Sequence, residues 1–479
     1  MNVTMILEMV ASAGERTVVT AGGRSLGTAE LLRLARAAAA RFRGHTAVVY
    51  LAANDLAYPV ALFGAALAGV PFVPLNYRLG DQQLAALLAR HPGAIVLRPA
   101  DLGSLLEPTA PEAAPIVDQD PDAVAVLLYT SGTTAEPKAA VLRHRHLVSY
   151  LFNTQEFGSA DADAAALVSV PPYHVAGLTN LLSNLYSGRR VVYLAAFDPV
   201  TWLDTVRAER ATHAMLVPTM LARIVAAVRG DDAETPSLRT IAYGGARTPR
   251  SVLERALRIF PEVGFVNAYG LTETASSVAV LGPEDHRAAI AASDPAVADR
   301  LGSVGRTLPG IEIEVRTETG APAAVGEPGL VYVRGEQISG EYAGQAGNGT
   351  GDWFATRDRG RLDADGYLFI EGRADDTIIR GGENIAPEEI EDVLLGHPAV
   401  AEVAVLGAPD TEWGQRIVAF VVPAGGTVPD EAALRQWVTD RLRSSKTPDS
   451  IVFRDELPRT DTGKLLRRNL LVELETTDA

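Results

Sequence analysis

Apolar and polar positions follow two periodicities in the first 120 residues of the chain. Apolar residues recur at helical spacing in residues 29–42 and 84–88, while residues 47–51 form a short continuous apolar run. Such an alternation of strands and helices predicts helices on both faces of a mostly parallel sheet. Two prolines in residues 70–75 predict a turn there.

The pattern changes towards the carboxyl terminus. Residues 311–315 and 330–333 alternate as strands, with no helix predicted between them. After residue 374, the strands 400–406 and 416–422 and the helix 431–442 predict an α+β unit of about a hundred residues, which suffices for a domain. The predicted fold class is therefore α/β: a large amino-terminal part with mostly parallel sheets plus a β-rich subdomain, and a small α+β carboxyl-terminal domain.

One stretch combines a buried strand with polar chemistry. Residues 123–129 carry no charge and predict a strand of a parallel sheet, and a hydroxyl-rich loop with one glycine follows, ahead of Lys138 and a predicted amphipathic helix. Backbone N–H groups and hydroxyls of such a loop can converge on a phosphate. A simple turn has the same composition, so both interpretations stay open. A Walker-type loop is excluded, because no Ser or Thr follows the lysine.

Two further strands end in small or polar residues. Residues 241–243 lead into Gly244, Gly245 and Ala246, and residues 263–266 lead towards Tyr269, Thr272 and Glu273. An aromatic face can stack on a ring, and a carboxylate suits Mg²⁺. Several such strand ends predict a ligand crevice at the carboxyl edge of a parallel sheet.

The histidines give weaker signals. His174 follows two prolines that fix the backbone, so it either orients a ligand or is a satisfied core residue. His144 and His146 stand on a polar stretch without a third ligand, and we expect them at the surface rather than at a metal.

Composition restricts the functional classes. With 47% hydrophobic residues, 21% charged residues and a formal charge of −16, the chain is typical of a soluble globular protein and has no net basic face for nucleic acid or anionic membrane. The longest apolar stretch, residues 60–70, is too short to span a bilayer, and no secretory signal is visible, so a cytoplasmic location is expected. There is no cysteine, so a thiol nucleophile must come from outside.

Taken in order, several motifs resemble those of the acyl-adenylate-forming superfamily, which includes acyl-CoA synthetases, peptide-synthetase adenylation domains and beetle luciferases. The motifs, together with the segment around Asp358, are YTSGTTAEPK (129–138), PPYHVAG (171–177), YGLTET (269–274), GRADDTIIRGGENIAPEEIE (372–391) and PRTDTGK (458–464). The acyl-CoA and aryl-CoA ligase branch is most similar, through the GGENIAPEEIE run and residues 410–415.

The resemblance implies an amino-terminal adenylation domain (1–374), a hinge at Asp375 and a mobile carboxyl-terminal domain (375–479), with ATP, Mg²⁺ and coenzyme A as cofactors. It implies catalytic roles for Lys464, Lys138, Glu273 and His174, with Glu273 holding the metal. The implied nucleotide and CoA contacts are Thr130, Ser131, Gly132, Thr133, Thr134, Gly244, Gly245, Ala246, Tyr269, Gly270, Thr272, Asp358, Arg373, Gly381, Gly382 and Trp413. Arg443 or Lys446 would meet the CoA phosphates.

The chain departs from the family pattern at Ala135, Ala139 and Arg357, where glycine is usual, and we expect altered rates rather than lost activity. The substrate segments 174–181, 215–219 and 275–280 are apolar or small, which favours an aryl or medium aliphatic acid. Arg247 could meet a second carboxylate or simply be solvated. A carrier protein or another nucleophile could replace CoA, a catalytically silent relative is the other alternative, and a monomer or homodimer is expected.

Overall fold

The computed structural model describes residues 2–107, 120–130, 137–345, 349–350, 352–426, 428–460, 463 and 465–477. Predictions for Ser131, Gly132, Thr133, Thr134, Ala135 and Lys464 therefore lie outside the described residues. Within them, none of the helices combines the length and the apolar character that crossing a membrane requires.

The α-helices of the described residues are α1 (Thr4–Ser12), α2 (Thr28–Phe42), α3 (Ala57–Ala68), α4 (Asp81–Leu88), α5 (Pro99–Leu105), α6 (His144–Thr154), α7 (Val175–Ser187), α8 (Pro199–Ala208), α9 (Pro218–Ala227), α10 (Arg250–Ile259), α11 (Pro283–Ala291), α12 (Pro295–Asp299), α13 (Pro387–Leu395), α14 (Glu431–Thr439) and α15 (Arg467–Thr477).

The strands of the amino-terminal two thirds are β1 (Thr17–Ala21), β2 (Arg24–Gly27), β3 (Val48–Tyr50), β4 (Phe72–Pro74), β5 (Ile95–Leu97), β6 (Val124–Thr130), β7 (Lys138–Arg143), β8 (Ala165–Val168), β9 (Arg190–Tyr193), β10 (His213–Leu216), β11 (Thr240–Gly244), β12 (Gly264–Leu271), β13 (Ser276–Leu281) and β14 (Arg306–Thr307). The later strands are β15 (Ile311–Arg316), β16 (Gly329–Gly335), β17 (Gly349–Thr350), β18 (Trp353–Leu362), β19 (Leu368–Arg373), β20 (Ile378–Arg380), β21 (Glu383–Ile385), β22 (Val400–Asp410), β23 (Gly414–Pro423) and β24 (Ser450–Phe453).

Two mostly parallel sheets form the large domain, as the sequence predicts. The first has the order β14-β13-β12-β11-β10-β8-β9-β1-β2, in which every neighbouring pair from β12 to β1 is parallel. The second has the order β5-β3-β4-β6-β7, and only β6 and β7 are antiparallel. Parallel strands of one sheet present their carboxyl ends at one edge, which is where the polar strand ends predicted a crevice.

The helices pack through faces that the apolar pattern marks. Leu31, Ala38 and Phe42 of α2 are buried at helical spacing, and α3, which contains most of the longest apolar stretch, is buried on nearly all sides. Gly64 allows the two helices to approach closely, because a Cβ at this position would lie 2.8 Å from the Cβ of Ala38. The apolar stretch is therefore a helix of the core.

The β-rich subdomain is an antiparallel sheet with the order β15-β16-β18-β17, to which β19 adds by pairing with β18. The small domain contains the β20-β21 hairpin and the sheet β22-β23-β24, flanked by α13, α14 and α15. Its core is separate from that of the large domain and includes Ile390, Val405 and Leu434. The predicted fold class is confirmed.

Three local predictions were wrong or incomplete. Residues 72–74 form a buried strand between β3 and β6 rather than a turn, because Pro74 stands at the strand end, where its missing N–H costs no ladder bond. Lys138 begins strand β7, which the sequence pattern did not indicate before helix α6. His144 and His146 are buried rather than at the surface. Burial lowers the pKa of each ring to about 4.

Candidate active site

The strands β6 and β7 form a hairpin whose ends carry Thr130 and Lys138. The two residues pair directly, and the Thr130 hydroxyl donates to the Lys138 carbonyl oxygen at 3.4 Å. The Nζ of Lys138 lies 5.4 Å from the centre of the Tyr342 ring, an aromatic contact that steadies an ammonium group. The strand, the lysine and the helix follow one another along the chain, but strand β7 stands between Lys138 and α6, and residues 131–136 lie outside the described residues.

The glycines at the end of β11 are required by the fold itself. A Cβ on Gly244 would overlap with the carbonyl oxygen of Ala268 on the neighbouring strand β12. Gly245 has a φ of +86°, which is unfavourable for residues with a side chain. Gly245 and Ala246 are exposed at the end of the strand, a surface on which a flat ring can lie.

Tyr269, Asp358 and Arg373 form a hydrogen-bonded cluster. The Tyr269 hydroxyl donates to Oδ2 of Asp358 at 2.5 Å, and Arg373 Nη1 donates to Oδ1 at 2.7 Å. Asp358 is only 4% exposed, and burial together with this carboxylate raises the pKa of Tyr269 well above its usual value. Each carboxylate oxygen still has a lone pair free, so Asp358 can accept two further hydrogen bonds from a diol.

Glu273 lies at the other end of the segment that begins with Tyr269, on a short 3₁₀ turn (Thr272–Thr274). It is 8% exposed, and the hydroxyl of Tyr342 donates a short hydrogen bond to its Oε1. Its backbone oxygen accepts from Ser339 N at 2.8 Å, so the turn is fixed to the segment that carries Tyr342. The second carboxylate oxygen of Glu273 is not used by Tyr342.

This donor set fits Mg²⁺, the metal that the resemblance implies. The described residues contain no group of three or more His, Asp or Glu that could hold a metal by themselves. Mg²⁺ is commonly held by one or two carboxylates while waters and substrate phosphates complete its shell. A single buried carboxylate therefore suits Mg²⁺ that arrives with a nucleotide.

His174 precedes helix α7 and is partly buried. Its ring lies 4.5 Å from that of Tyr173, centre to centre. Gly177 permits the tight turn, since a Cβ there would lie 2.6 Å from the carbonyl oxygen of Pro171. That the two prolines set the direction of the histidine stays a prediction.

The small domain gathers three of the predicted residues on one surface. Gly381 N donates to the Trp413 carbonyl oxygen at 2.8 Å, and both Gly381 and Gly382 have positive φ. Trp413 is 48% exposed. Gly463 lies directly against the side chain of Thr219 in the large domain.

The cations considered for CoA phosphates and for a second carboxylate are engaged in ion pairs. Arg443 pairs with Glu383 at 3.2 Å, and Lys446 pairs with Glu389 at 2.5 Å. Arg247 pairs with Asp392 of the small domain. The last contact joins the two domains, and the arginine is therefore neither simply solvated nor directed at a substrate carboxylate in this arrangement.

The departures from glycine differ in their consequences. Ala139 lies in strand β7 opposite Tyr129 and does not have a positive φ, so the backbone there does not require glycine. Arg357 has a φ of 63°, in the region that favours glycine. Tyr342, which joins Lys138 to Glu273, was missed by the sequence analysis, since a lone tyrosine after a strand carries no signal of its own.

Comparisons with known proteins identify the family. The model of the AMP-binding enzyme family matches residues 7–343, and that of the AMP-binding enzyme C-terminal domain matches residues 389–464. A feruloyl-CoA synthase of an Amycolatopsis species is 37% identical, covering 94% of each chain. A fatty acid–[acyl-carrier-protein] ligase of Streptomyces coeruleorubidus is 32% identical, covering 88% of this chain and 86% of the relative.

A solved structure has the same fold. The o-succinylbenzoate CoA synthetase of Bacillus subtilis in complex with its acyl-adenylate intermediate superposes with a TM-score of 0.84 at 28% identity, covering 97% of each chain. The same protein has been solved with ATP and magnesium ion. The chain belongs to the AMP-binding enzyme family, within the acyl-adenylate-forming superfamily that its motifs resemble.

Proposed function

We propose that this chain is an AMP-forming ligase that activates a carboxylic acid with ATP and transfers the acyl group to the thiol of CoA. The observation that carries the proposal is the pair of polar clusters at the two ends of segment Tyr269–Glu273. Tyr269 contacts a buried carboxylate that also binds an arginine, while Tyr342 contacts both Glu273 and Lys138. The cluster around Tyr269 suits a ribose and the cluster around Glu273 suits phosphates. A short segment of chain separates the two.

The residues that would bind ATP divide between these clusters. Asp358 and Arg373 bind the ribose hydroxyls, and Tyr269 and residues 244–246 contact adenine. Gly270 and Thr272 lie between the two clusters and contact the nucleotide there. Thr130, Lys138 and residues 131–134 bind the phosphates. Glu273 would hold Mg²⁺, whose positive charge would stabilise the leaving pyrophosphate.

The reaction has two steps. A carboxylate oxygen attacks the α-phosphorus, and the bond to pyrophosphate breaks, giving an acyl-AMP. The CoA sulfur then attacks the acyl carbon, AMP leaves with the bonding pair, and the thiol proton passes to solvent. Lys464 serves the first step, because its ammonium balances charge between the carboxylate and the α-phosphate.

A rearrangement of the two domains allows one site to carry out both steps. The domains are 1–374 and 375–479, with the hinge at Asp375. Gly463 against Thr219 supports an arrangement in which the loop bearing Lys464 lies over the acid-binding segment. The surface with Gly381, Gly382 and Trp413 would border the pantetheine arm of CoA after rotation.

The acid is an aryl or medium aliphatic carboxylate with a neutral tail. Segments 174–181, 215–219 and 275–280 contain no arginine or lysine, and Arg247 is occupied by Asp392. His174 would orient the acid. The feruloyl-CoA synthase relative favours an aryl acid such as a hydroxycinnamate. A cytoplasmic monomer or homodimer completes the proposal.

A carrier protein is the second candidate acceptor, since one relative is named a fatty acid–[acyl-carrier-protein] ligase. Both acceptors present a pantetheine thiol, so Trp413 does not separate them. Mass spectrometry of products formed with free CoA, with a pantetheinylated carrier protein and with neither would identify the acceptor.

The test of the proposal is pyrophosphate release across a panel of aryl, aliphatic and dicarboxylic acids, with and without CoA. We expect acid-dependent release and a thioester with at least one aryl or medium aliphatic acid. Absence of acid-dependent release across the whole panel would indicate a catalytically silent adenylate-binding relative and overturn the proposal. Preference for a dicarboxylic acid would overturn the assignment of the acid class.

A further inference from the structure

Arg357 occupies an unfavourable backbone conformation beside the site. Its φ of 63° lies in the left-handed region, and it falls within the irregular pairing of β16 with β18, immediately before Asp358. Non-glycine residues held in this region are disfavoured, and they persist where the surrounding structure fixes them, commonly at functional sites. The conformation of Arg357 therefore indicates that its side chain has a function at the site.

That side chain reaches the turn between the domains. Arg357 Nη1 lies 3.8 Å from Oδ2 of Asp375, and both side chains are about half exposed, at 49% and 40%. Its positive charge also acts on the site of Glu273 and Tyr342: burial and then Glu273 raise the pKa of Tyr342, and Arg357 opposes this shift. Arg357 thus lies between the nucleotide site and the turn Ala374–Asp376.

The next residue of the turn is held from the opposite side. Asp376 Oδ2 lies 3.3 Å from Arg467 Nη1, at the start of α15, and Arg467 also contacts Glu391 at 2.7 Å and Glu388 at 3.2 Å. The Arg467 and Asp376 side chains are 18% and 25% exposed. Two consecutive carboxylates therefore bind different domains.

The two contacts differ in strength. Breaking a largely buried charge network leaves uncompensated charges and is costly, whereas a half-exposed pair at 3.8 Å contributes little. A rotation of the small domain about this turn would keep the contact of Asp376 with Arg467 and break that of Asp375 with Arg357.

We propose that Arg357 is a positioning residue that holds the small domain, through Asp375, in the arrangement that places Gly463 against Thr219. This inference rests on the proposed function. Arg357 stands where the family usually has glycine, and in this role it favours the adenylate-forming arrangement over the thioester-forming one.

The first test compares the two half-reactions in the full chain. Pyrophosphate release from acid and ATP is measured beside thioester formation from supplied acyl-AMP and CoA. Arg357→Asn removes the charge but tolerates the left-handed backbone, and we expect the ratio of thioester to adenylate rates to rise about two- to fivefold, the range of a weak exposed ion pair.

Two matched variants make the test specific. Arg357→Lys keeps the charge and should keep the ratio. Arg359→Asn removes an arginine of the same strand that pairs with Glu318 at 3.5 Å within the large domain, and it should leave the ratio unchanged. An equal change in all three variants would overturn the inference, because it would reflect a general effect on β18.

The second test measures domain position without turnover. The chain has no cysteine, so Val325→Cys and Val428→Cys, at positions 71% and 60% exposed in the two domains, give a unique label pair for energy transfer. With ATP bound, Arg357→Asn should shift the distribution of distances between the two labels away from that of the labelled chain with Arg357. An unchanged ratio and distribution would overturn the inference while leaving the proposed function standing. Absence of pyrophosphate release in the unsubstituted chain would overturn the proposed function, and the inference with it.

Discussion

The cluster proposed to bind ribose in the large domain and the residues proposed to act from the small domain are built in contrasting ways. Tyr269, Asp358 and Arg373 come from three strands of one domain and satisfy one another before any ligand binds. The small domain has its own core; its Gly463 lies against Thr219 of the large domain, while its Gly381 and Trp413 contact each other. The fold thus assembles the cluster within one domain, whereas the proposed function requires the small domain to bring different residues to the site in each step.

Replacing the delivered lysine gives the largest expected effect. Lys464→Ala should reduce pyrophosphate release about 10²- to 10³-fold, the usual loss for one positioned charge-stabilising group. Thioester formation from supplied acyl-AMP should survive, because this step does not use the ammonium. Measuring the two half-reactions separately checks the contrast, and equal loss in both would contradict the domain rearrangement.

A change within the assembled cluster should affect both binding and stability. Asp358→Asn removes the charge that compensates the mostly buried Arg373, and we expect a loss of about 2 kcal/mol in the free energy of unfolding together with a raised KM for ATP. Tyr269→Phe removes one hydrogen bond and should cost about 1 kcal/mol. Urea unfolding and ATP titration measure these effects, and a normal KM in Asp358→Asn would separate the cluster from nucleotide binding.

The two domains should respond oppositely to pH. The folded-state pKa values of His144, His146 and His213 in the large domain are lowered by burial from 6.5 to about 4, so the unfolded chain binds more protons between these values. Stability of the large domain should fall as the pH drops from about 6.5 to 4.

In the small domain, burial raises the pKa of Glu388 from 4.5 to about 7, and no hydrogen-bond donor among the described residues reaches its Oε2. The folded state then binds the extra proton, so this contribution to stability is present below pH 4.5 and is lost as the pH rises to about 7. Glu388→Gln should add about 1 kcal/mol at pH 8 and remove this dependence. Hydrogen exchange of the two domains across pH 4–8, corrected for intrinsic rates, checks both signs; parallel trends would contradict the comparison.

Two glycine substitutions affect stability alone and sharpen the contrast between close packing and an open surface. Gly244→Ala forces a Cβ against the Ala268 carbonyl and should cost about 1–3 kcal/mol. Gly382→Ala meets no atom within 4 Å but keeps a φ of +83°, and it should cost about 1 kcal/mol. Thermal unfolding measures both, and a larger cost at Gly382 would show that its conformation matters more than the close packing at Gly244.

Much of the architecture was predictable from local pattern. The βα alternation, the apolar strand before Thr130, and the separate α+β unit all follow from periodicity of apolar residues, which reflects burial directly. The strand at residues 72–74 and the burial of His144 and His146 were not predictable. Whether a proline ends a strand, or a histidine is buried, depends on neighbours that are distant in the sequence. Tyr342 on Glu273 is likewise a contact between distant segments.

The sequence by itself determined the family, the order of the motifs and the types of group that meet ATP and an acid, because these depend on which side chains are present and how they are spaced. Only the tertiary structure decided that Arg357 adopts a left-handed backbone, that Arg247 pairs with Asp392, and that Asp375 and Asp376 face different domains. Such features depend on which surfaces come together, and residues far apart in the chain carry no local signal of their contact.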